Sequence, residues 1–582
     1  MTEFPHDNQQ PPVNAPSADA LKTCQPTIVV VGGVAGGASA VARARRMHES
    51  AKIILLEKDD DISFANCGLP YYLGGEITDR NKLLVAKPQR FREWLNVEVR
   101  TQNLAQAIHP QQRTITVLDR KTGQRYQQPY DRLILSPGAD PVMPKVPGYD
   151  LKNIFTLRNL ADTDRIKNAI GPGNGKGRHA VVIGAGFIGL EMVEMLHLLG
   201  FQVTLVEKNQ QVLPPLDVEM AKMIETELIR HNVQVRLGTT ATSFEGNSKV
   251  EQIKLADGST IPADLVIVGV GVQPNTQLAQ SASLAVGPTG GIIVNQFMQT
   301  SDPNIYAVGD AVEYHHAPSN SHRRIPLAGP ANRAGRIAGE HAALSLLKAE
   351  SSDNKTTPQP TIASIQKTNL PQPAAMPSVL GTAIVRVFSL TAALTGLSEK
   401  TLSRHPHIRG KTILITANSH AGYYPNAREL TLKLLYEVDS GKILGAQIVG
   451  GDGVDKRLDV IATAMHFGAT VHQLTELDLA YAPPFSSAKD PVHLAGFAAQ
   501  NEIRGLVSFV SPAKLQDLEN NVQILDVRTP QEWTAGRLAQ AKHIPLSELR
   551  GRLQELDPTR PVVTVCRGGQ RAYYAARILS QN

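Results

Sequence analysis

Residues 179–196, HAVVIGAGFIGLEMVEML, decide the reading of the fold. An apolar run of buried parallel-strand type enters a glycine-rich turn, and the turn opens a helix. Gly184, Gly186 and Gly189 stand in G-x-G-x-x-G register. That spacing permits a tight turn, a close backbone approach to a pyrophosphate at the helix N-terminus, and close helix-to-strand packing. The following strand, QVTLVEK (202–208), ends at Glu207, eighteen residues beyond Gly189. An acid there favours the free 2′-hydroxyl of NADH over the 2′-phosphate of NADPH, and Lys208 beside it softens that preference.

The same arrangement stands about 150 residues earlier. TIVVVGG (27–33) runs into the helix of GGVAGGASAVARARR (32–46), and KIILLEK (52–58) ends at Glu57, twenty residues after Gly37. Gly32 permits the turn, Gly37 permits helix-to-strand packing, and Glu57 is placed for ribose hydroxyls. Val34 stands where the motif has its central glycine. Two such motifs, each in strand–turn–helix context, are far more specific than either alone. DRLILSPGADP (131–141) reads as a strand into a glycine turn where the chain crosses between domains. SDPNIYAVGDAVE (301–313) places Asp310 after a short strand. Asp310 is either a helix N-cap or, beside two nucleotide motifs, a partner for a flavin ribityl chain.

The bulk properties fit that reading. A chain of 582 residues is too long for one core and predicts three or four domains. The net charge of +6 points weakly to an anionic small ligand and does not call for nucleic acid. Three cysteines (Cys24, Cys67 and Cys566) form no disulfide framework and match no metal site, which suits a reducing cytoplasm. The Pro/Gln/Asn-rich N-terminus lacks the pattern of a signal peptide and reads as a disordered tail over 1–26. No apolar run approaches the ~18 to 20 residues that cross a bilayer.

Residues 27 to about 500 resemble the pyridine nucleotide–disulfide oxidoreductases. Within them the chain is most similar to the single-cysteine branch of coenzyme A-disulfide reductase, NADH oxidase and NADH peroxidase. The first nucleotide motif of that branch commonly lacks its central glycine, so Val34 fits. The resemblance implies an α/β chain with Rossmann-like FAD- and NAD-binding domains and an α+β dimerisation domain. The boundaries expected are 27–150 and 276–348 for the FAD domain, 151–275 for the NAD domain and 380–500 for the dimerisation domain. A Pro-rich stretch, 349–379, reads as a flexible surface insertion. Gly33, Lys58, Pro137, Gly138 and Gly271 are the further residues implied to line the two nucleotide sites.

SFANCGLPYY (63–72) carries Cys67 without a second thiol nearby, which excludes the paired C-x4-C mechanism of other family members. A buried structural cysteine is poorly suited to so Gly/Pro-rich a turn. The motif resembles that of the coenzyme A-disulfide and persulfide reductases. That resemblance implies that coenzyme A supplies the second sulfur as a mixed disulfide with Cys67, with electrons passing from NADH (or NADPH) through FAD. The Cys67 thiolate would then attack a disulfide or persulfide sulfur. Arg43 and Arg46, three apart in VARARRMHES (41–50), share a helix face. Such a run is usually a solvated basic face. In the coenzyme A-dependent enzymes, residues matching Arg43, Arg46, Ser63, Asn66, Asn332 and Lys489 contact coenzyme A. HAGYYPNA (420–427) and YAPPFSSAKDP (481–491) match segments that each send a tyrosine across a homodimer interface, here Tyr423 (with Tyr424 its rival) and Tyr481. A phenol there can donate a proton to a departing thiolate, whereas simple interface packing is the alternative.

A separate pattern fills 503–582. VQILDVRTPQEW (522–533) and PVVTVCRGGQR (561–571) resemble a rhodanese-like α/β domain, in which Cys566 accepts sulfane sulfur as a persulfide. Loop N–H groups, a helix N-terminus, Arg567 and Arg571 are expected to favour its thiolate. Rhodanese domains usually continue beyond this helix, so either the sheet lacks an edge strand or the chain is truncated. The whole implies an NADH-dependent flavoenzyme that reduces coenzyme A disulfide, coenzyme A persulfide or polysulfide, with Cys566 supplying sulfane sulfur. The alternatives are an NADH oxidase or peroxidase cycling Cys67 through sulfenic acid, and a sulfur-carrier or redox sensor with little turnover.

Overall fold

The computed structural model describes residues 25–353 and 371–582, except 512, 513, 516, 517, 519 and 520. Cys24, nearly all of the expected N-terminal tail and residues 354–370 of the expected insertion lie outside the described residues.

Two nucleotide-binding units repeat one plan. In the first, five parallel strands run in the order Ile305–Ala307, Arg132–Leu135, Thr27–Val31, Lys52–Leu56, Glu98–Arg100. Ile28, Val29, Val30, Ile53, Ile54 and Leu55 are all buried, because helices and loops cover both faces of a parallel sheet. In the second, the order is Gln234–Leu237, Gln202–Glu207, His179–Ile183, Leu265–Val268, Ile154–Phe155, again all parallel. Each unit adds a three-stranded antiparallel sheet, 103–129 in the first and 241–262 in the second. Strands Ala139–Pro141 and Val272–Pro274 pair antiparallel where the chain leaves the first unit and returns to it.

Helix Ala328–Asp353 packs along Ala35–Met47 at the first glycine turn. Its length corrects the expected insertion at one end, since residues 349–353 continue the helix. The other end is also ordered. Met376 donates its N–H to the Gln296 carbonyl, His315 bonds Ser378, and Val379 is buried against the first unit. Apolar contacts at Met376 and Val379 hold this Pro-rich approach down.

Beyond it, five antiparallel strands run Ala383–Val387, Leu390–Gly396, Ile443–Gly450, Glu429–Glu437, Gly410–Asn418, backed by helices Val454–His466 and Pro491–Ile503. The last unit is a three-stranded parallel sheet, Lys542–His543, Gln523–Asp526, Val562–Val565, followed by helix Gln570–Ser580. Among the described residues no helix is long and apolar enough to cross a membrane.

Candidate active site

The two glycine turns are fastened in the same way. Glu57 accepts the N–H of Gly33 at 2.8 Å and of Asp59 at 3.1 Å. Glu207 accepts the N–H of Ala185 at 2.7 Å and of Asn209 at 2.8 Å. Each acid closes its own turn, and a carboxylate has about four acceptor positions, which leaves room for ribose hydroxyls. Burial pushes the Glu57 carboxyl up. A Cβ on Gly37 would stand 1.7 Å from the Gly32 carbonyl oxygen, and one on Gly189 would stand 1.9 Å from that of Gly184. Only hydrogen fits at either crossing of helix and turn. At Gly186 a Cβ would meet no atom within 4 Å among the described residues, so the backbone there faces open space before the N-terminus of helix Phe187–Leu198. That is the space a pyrophosphate needs, and the residues fit dinucleotides at both turns. Val34 instead packs its side chain on a core shared with Leu69 and Leu190.

The remaining nucleotide-site expectations gather between these turns. Lys58 pairs with Asp140 at 3.5 Å. Pro137 and Gly138 present carbonyls to Asn275, and Gly271 presents its carbonyl to Val142, along the crossover strands. Asp310 lies on a single short turn, Gly309–Ala311, and pairs with Arg158 at 3.2 Å. It caps no helix of regular length.

Cys67 sits in the short turn Asn66–Gly68 that leads into helix Leu69–Leu73. Ser63 holds the segment to the first glycine turn. Its φ of +48° is left-handed, and its N–H donates to the Gly33 carbonyl at 2.8 Å. Helix Leu69–Leu73 packs on Phe187–Leu198 of the second unit, where Tyr71 donates its hydroxyl to Glu191 at 3.1 Å. Cys67 is therefore exposed in a cleft between the two nucleotide units, 3.9 Å from the Asn66 side-chain oxygen. The walls of the cleft push its thiol up by removing water, and the charges of Glu191 and Asp310 add to this while Arg158 opposes them. Burial also pushes Glu191 up to about 7, against the hydrogen bond from Tyr71. Sequence reading missed Glu191, Tyr71 and Arg158. The one local signal for Glu191 is a carboxylate two residues past Gly189 in an otherwise apolar helix start.

The residues expected to meet coenzyme A divide into groups. Ser39 donates to Asn332 at 2.7 Å, which places Asn332 on the exposed seam between helices Ala35–Met47 and Ala328–Asp353. Arg46 is exposed on the same seam and donates to its own helix at the Ala42 carbonyl. Arg43 differs, because Glu340, 7% exposed, holds its guanidinium at 2.7 Å. Ser63 and Asn66 lie beside Cys67, and Lys489 is exposed on the antiparallel-sheet unit.

Tyr423 and Tyr481 meet hydroxyl to hydroxyl at 3.0 Å on the exposed face of that unit. Their loops share one buried anchor. Arg457 pairs with Asp490 at 2.9 Å and donates to the Ser419 carbonyl at 2.6 Å. The Ala421 N–H adds a bond to the Ser486 carbonyl.

In the last unit, Cys566 Sγ accepts the N–H groups of Gly569 at 3.1 Å and Ala572 at 3.3 Å, at the start of helix Gln570–Ser580. The charge expected from its two arginines is offset. Arg571 forks onto Glu532 at 2.6 and 2.7 Å, and Arg567 turns to Glu429 of the antiparallel-sheet unit at 2.6 Å.

Comparison with known proteins agrees with this layout. The profile of the pyridine nucleotide-disulphide oxidoreductases matches residues 26–335, and that of their dimerisation domain matches residues 382–492. The chain belongs to the pyridine nucleotide-disulphide oxidoreductase family. A rhodanese-like domain profile matches residues 511–582, so this oxidoreductase carries the second module expected from sequence. Among relatives, coenzyme A disulfide reductase of Staphylococcus epidermidis RP62A is 36% identical over 473 residues, 81% of this chain and 99% of the relative. Among solved structures, reduced Bacillus anthracis CoADR-RHD superposes with a TM-score of 0.88 at 44% identity, covering 96% of this oxidoreductase and 95% of that chain. The NAD-dependent persulfide reductase of A. fulgidus gives 0.84 at 34% identity, covering 95% and 97%. The water-forming NADH oxidase of Lactobacillus brevis gives 0.73 at 26% identity, covering 83% and 100%.

Proposed function

We propose that this chain is an NADH-dependent flavoenzyme that reduces coenzyme A disulfide, coenzyme A persulfide or polysulfide at Cys67, as a cytoplasmic homodimer, with Cys566 as the entry point for sulfane sulfur. One observation carries the reading. Cys67 is the sole thiol, among the described residues, in the cleft between two dinucleotide cradles.

When bound, NADH at Gly184, Gly186, Gly189 and Glu207 would supply, by way of FAD at Gly32, Gly37, Glu57 and Asp310, the two electrons that return a Cys67–coenzyme A disulfide to the Cys67 thiolate and free coenzyme A. The Cys67 thiolate attacks one sulfur of coenzyme A disulfide. The S–S bond breaks, one coenzyme A leaves as thiolate, and a Cys67–coenzyme A disulfide forms. With coenzyme A persulfide, attack on the sulfur nearer coenzyme A gives the same mixed disulfide and releases hydrosulfide. The Tyr423–Tyr481 pair, carried by a partner subunit, donates the proton that the departing thiolate takes up. Arg46, Asn332 and Lys489 meet the phosphates and polar arm of coenzyme A, while Arg43 serves chiefly to hold its helix to Glu340.

Steady-state NADH oxidation with coenzyme A disulfide, polysulfide, peroxide and O2 as acceptors tests the reading. Turnover with the sulfur acceptors should exceed that with O2. Fast turnover with O2 alone, unaffected by Cys566→Ser, would sink it in favour of a sulfenic acid cycle.

A further inference from the structure

The seam between the first nucleotide unit and the antiparallel-sheet unit gathers cations without counter-charges. After Asp310 the first unit forms a hairpin, Glu313–His316 against Ser321–Arg324. It reaches the turn 403–409 of the antiparallel-sheet unit, where Arg323 donates an N–H to His405 Nε2 at 2.7 Å. A guanidinium has no acceptor, so this ring nitrogen is bare and His405 is neutral, with its proton on Nδ1. Arg323 Nε donates to the Ser321 hydroxyl at 3.3 Å. Ser321 bonds Ser319, and Ser319 bonds the buried His316, each at 2.7 Å, which fixes the guanidinium from behind. Its other N–H groups have no protein acceptor among the described residues. Arg404 and His407 flank His405 and are exposed, with the His407 ring 5.8 Å from that of His405. The carboxylates nearest in sequence are engaged elsewhere. Glu313 accepts the N–H and hydroxyl of Thr289, Glu399 pairs with Lys433, and Asp439 pairs with Arg409. Among the described residues none pairs with Arg323 or Arg404. Burial, and then Arg404, push Arg323 down, while burial, then Arg323, His407 and Arg404, push His405 down.

We propose that Arg323, Arg404 and His405 form a binding site, at this seam, for a small doubly charged oxyanion of the phosphate–sulfate class. The site is independent of the sulfur chemistry at Cys67 and Cys566. The oxyanion takes donors from Arg323 and His405 in place of their mutual bond. His405 Nε2 must then donate, so the ring takes up a proton from solvent, and a protonated ring and two guanidiniums face the dianion. Guanidinium suits this ligand because its forked, charge-assisted N–H groups match the oxygens of a tetrahedral anion. Binding is therefore linked to protonation. The like charges that disfavour the charged ring are offset by the anion, so affinity rises as pH falls through the titration of His405.

Sulfate is the probe, because its charge is constant between pH 6 and pH 8 and any change with pH reports on the protein. The full-length protein is saturated with FAD, NAD+ and coenzyme A, so that their phosphate sites are filled. It is then melted in rising sulfate, balanced with chloride to constant ionic strength, at both pH values. The melting midpoint should rise saturably, and the half-point should fall at a sulfate concentration at least ~5-fold lower at pH 6 than at pH 8. Arg323→Gln and Arg404→Gln should keep only the unsaturable rise that sulfate gives by exclusion from protein surfaces. Arg404 is exposed, so its variant tests the site without opening the seam. His405→Gln, whose amide oxygen still accepts from Arg323 but does not titrate, should lose the pH dependence. No saturable rise in the parent, a saturable rise that persists in either arginine variant, equal half-points at the two pH values, or a pH dependence that survives in His405→Gln overturns the proposal.

Discussion

The Tyr71 hydroxyl donates to the Glu191 carboxylate across 3.1 Å and ties the helix after Cys67 to the helix that opens at the second glycine turn. Glu191 is pushed up to about 7 by burial, and its charge is one cause that raises the Cys67 thiol. Removing that charge should make the thiolate easier to form. Glu191→Gln is expected to move the pH midpoint of Cys67 alkylation, in reduced protein freed of nucleotides, downward by roughly 0.5 to 1 unit. An upward shift would show that Glu191 acts on Cys67 otherwise than through its charge. The same carboxyl has a stability signature. Its folded value lies above the ordinary 4.5, so the folded state holds the extra proton and stability falls as pH rises from 4.5 to about 7. Glu191→Gln should flatten that segment of a stability-against-pH curve measured by urea unfolding.

Two glycines three residues apart should respond oppositely. Gly189→Ala drives a methyl to 1.9 Å from the Gly184 carbonyl oxygen, so the turn must open, and a loss of roughly 3 kcal/mol or more is expected. Gly186→Ala meets open space and should melt within a degree or two of the parent, yet bind NADH at least ~10-fold more weakly, because the methyl fills the approach to the pyrophosphate. Paired thermal melts and NADH titrations check both.

Arg457 is 1% exposed and joins the Tyr423 loop to the Tyr481 loop through Ser419 and Asp490. Arg457→Met strands the buried Asp490 carboxylate and should cost about 3–5 kcal/mol, whereas Arg457→Met with Asp490→Leu should recover part of that loss. Urea unfolding of the parent, Arg457→Met and the double variant measures it, and a double variant less stable than Arg457→Met would contradict the clamp.

Glu207 closes the second turn by accepting from Ala185 and Asn209 and remains placed to meet a ribose diol. NADH should exceed NADPH in kcat/KM by at least ~10-fold, and Glu207→Gln should narrow the gap, since a neutral side chain no longer repels a 2′-phosphate. Parallel kinetics with the two nucleotides decide this.

Local sequence carried much of this architecture. Both glycine turns, their terminal acids Glu57 and Glu207, and the two cysteines announce themselves because each motif is complete within some 30 residues. What stayed hidden depends on packing between distant segments. Tyr71 meets Glu191 across 120 residues, and Arg158 meets Asp310 across 152. Arg457 looks like any helical arginine until Asp490 folds beneath it. Arg43 and Arg46 share a helical face in sequence, but only the tertiary contact with Glu340 separates an anchored arginine from an exposed one. The Pro-rich stretch 349–379 was read from composition, which cannot reveal that Met376 and Val379 find apolar partners.

The central claim is that coenzyme A provides the second sulfur for Cys67. Intact mass of the protein as purified, with and without reductant, tests it most directly. One coenzyme A released per chain by reductant, and none carried by Cys67→Ser, is the predicted result. A chain from which reductant removes only the mass of one oxygen, with no coenzyme A released, would contradict it.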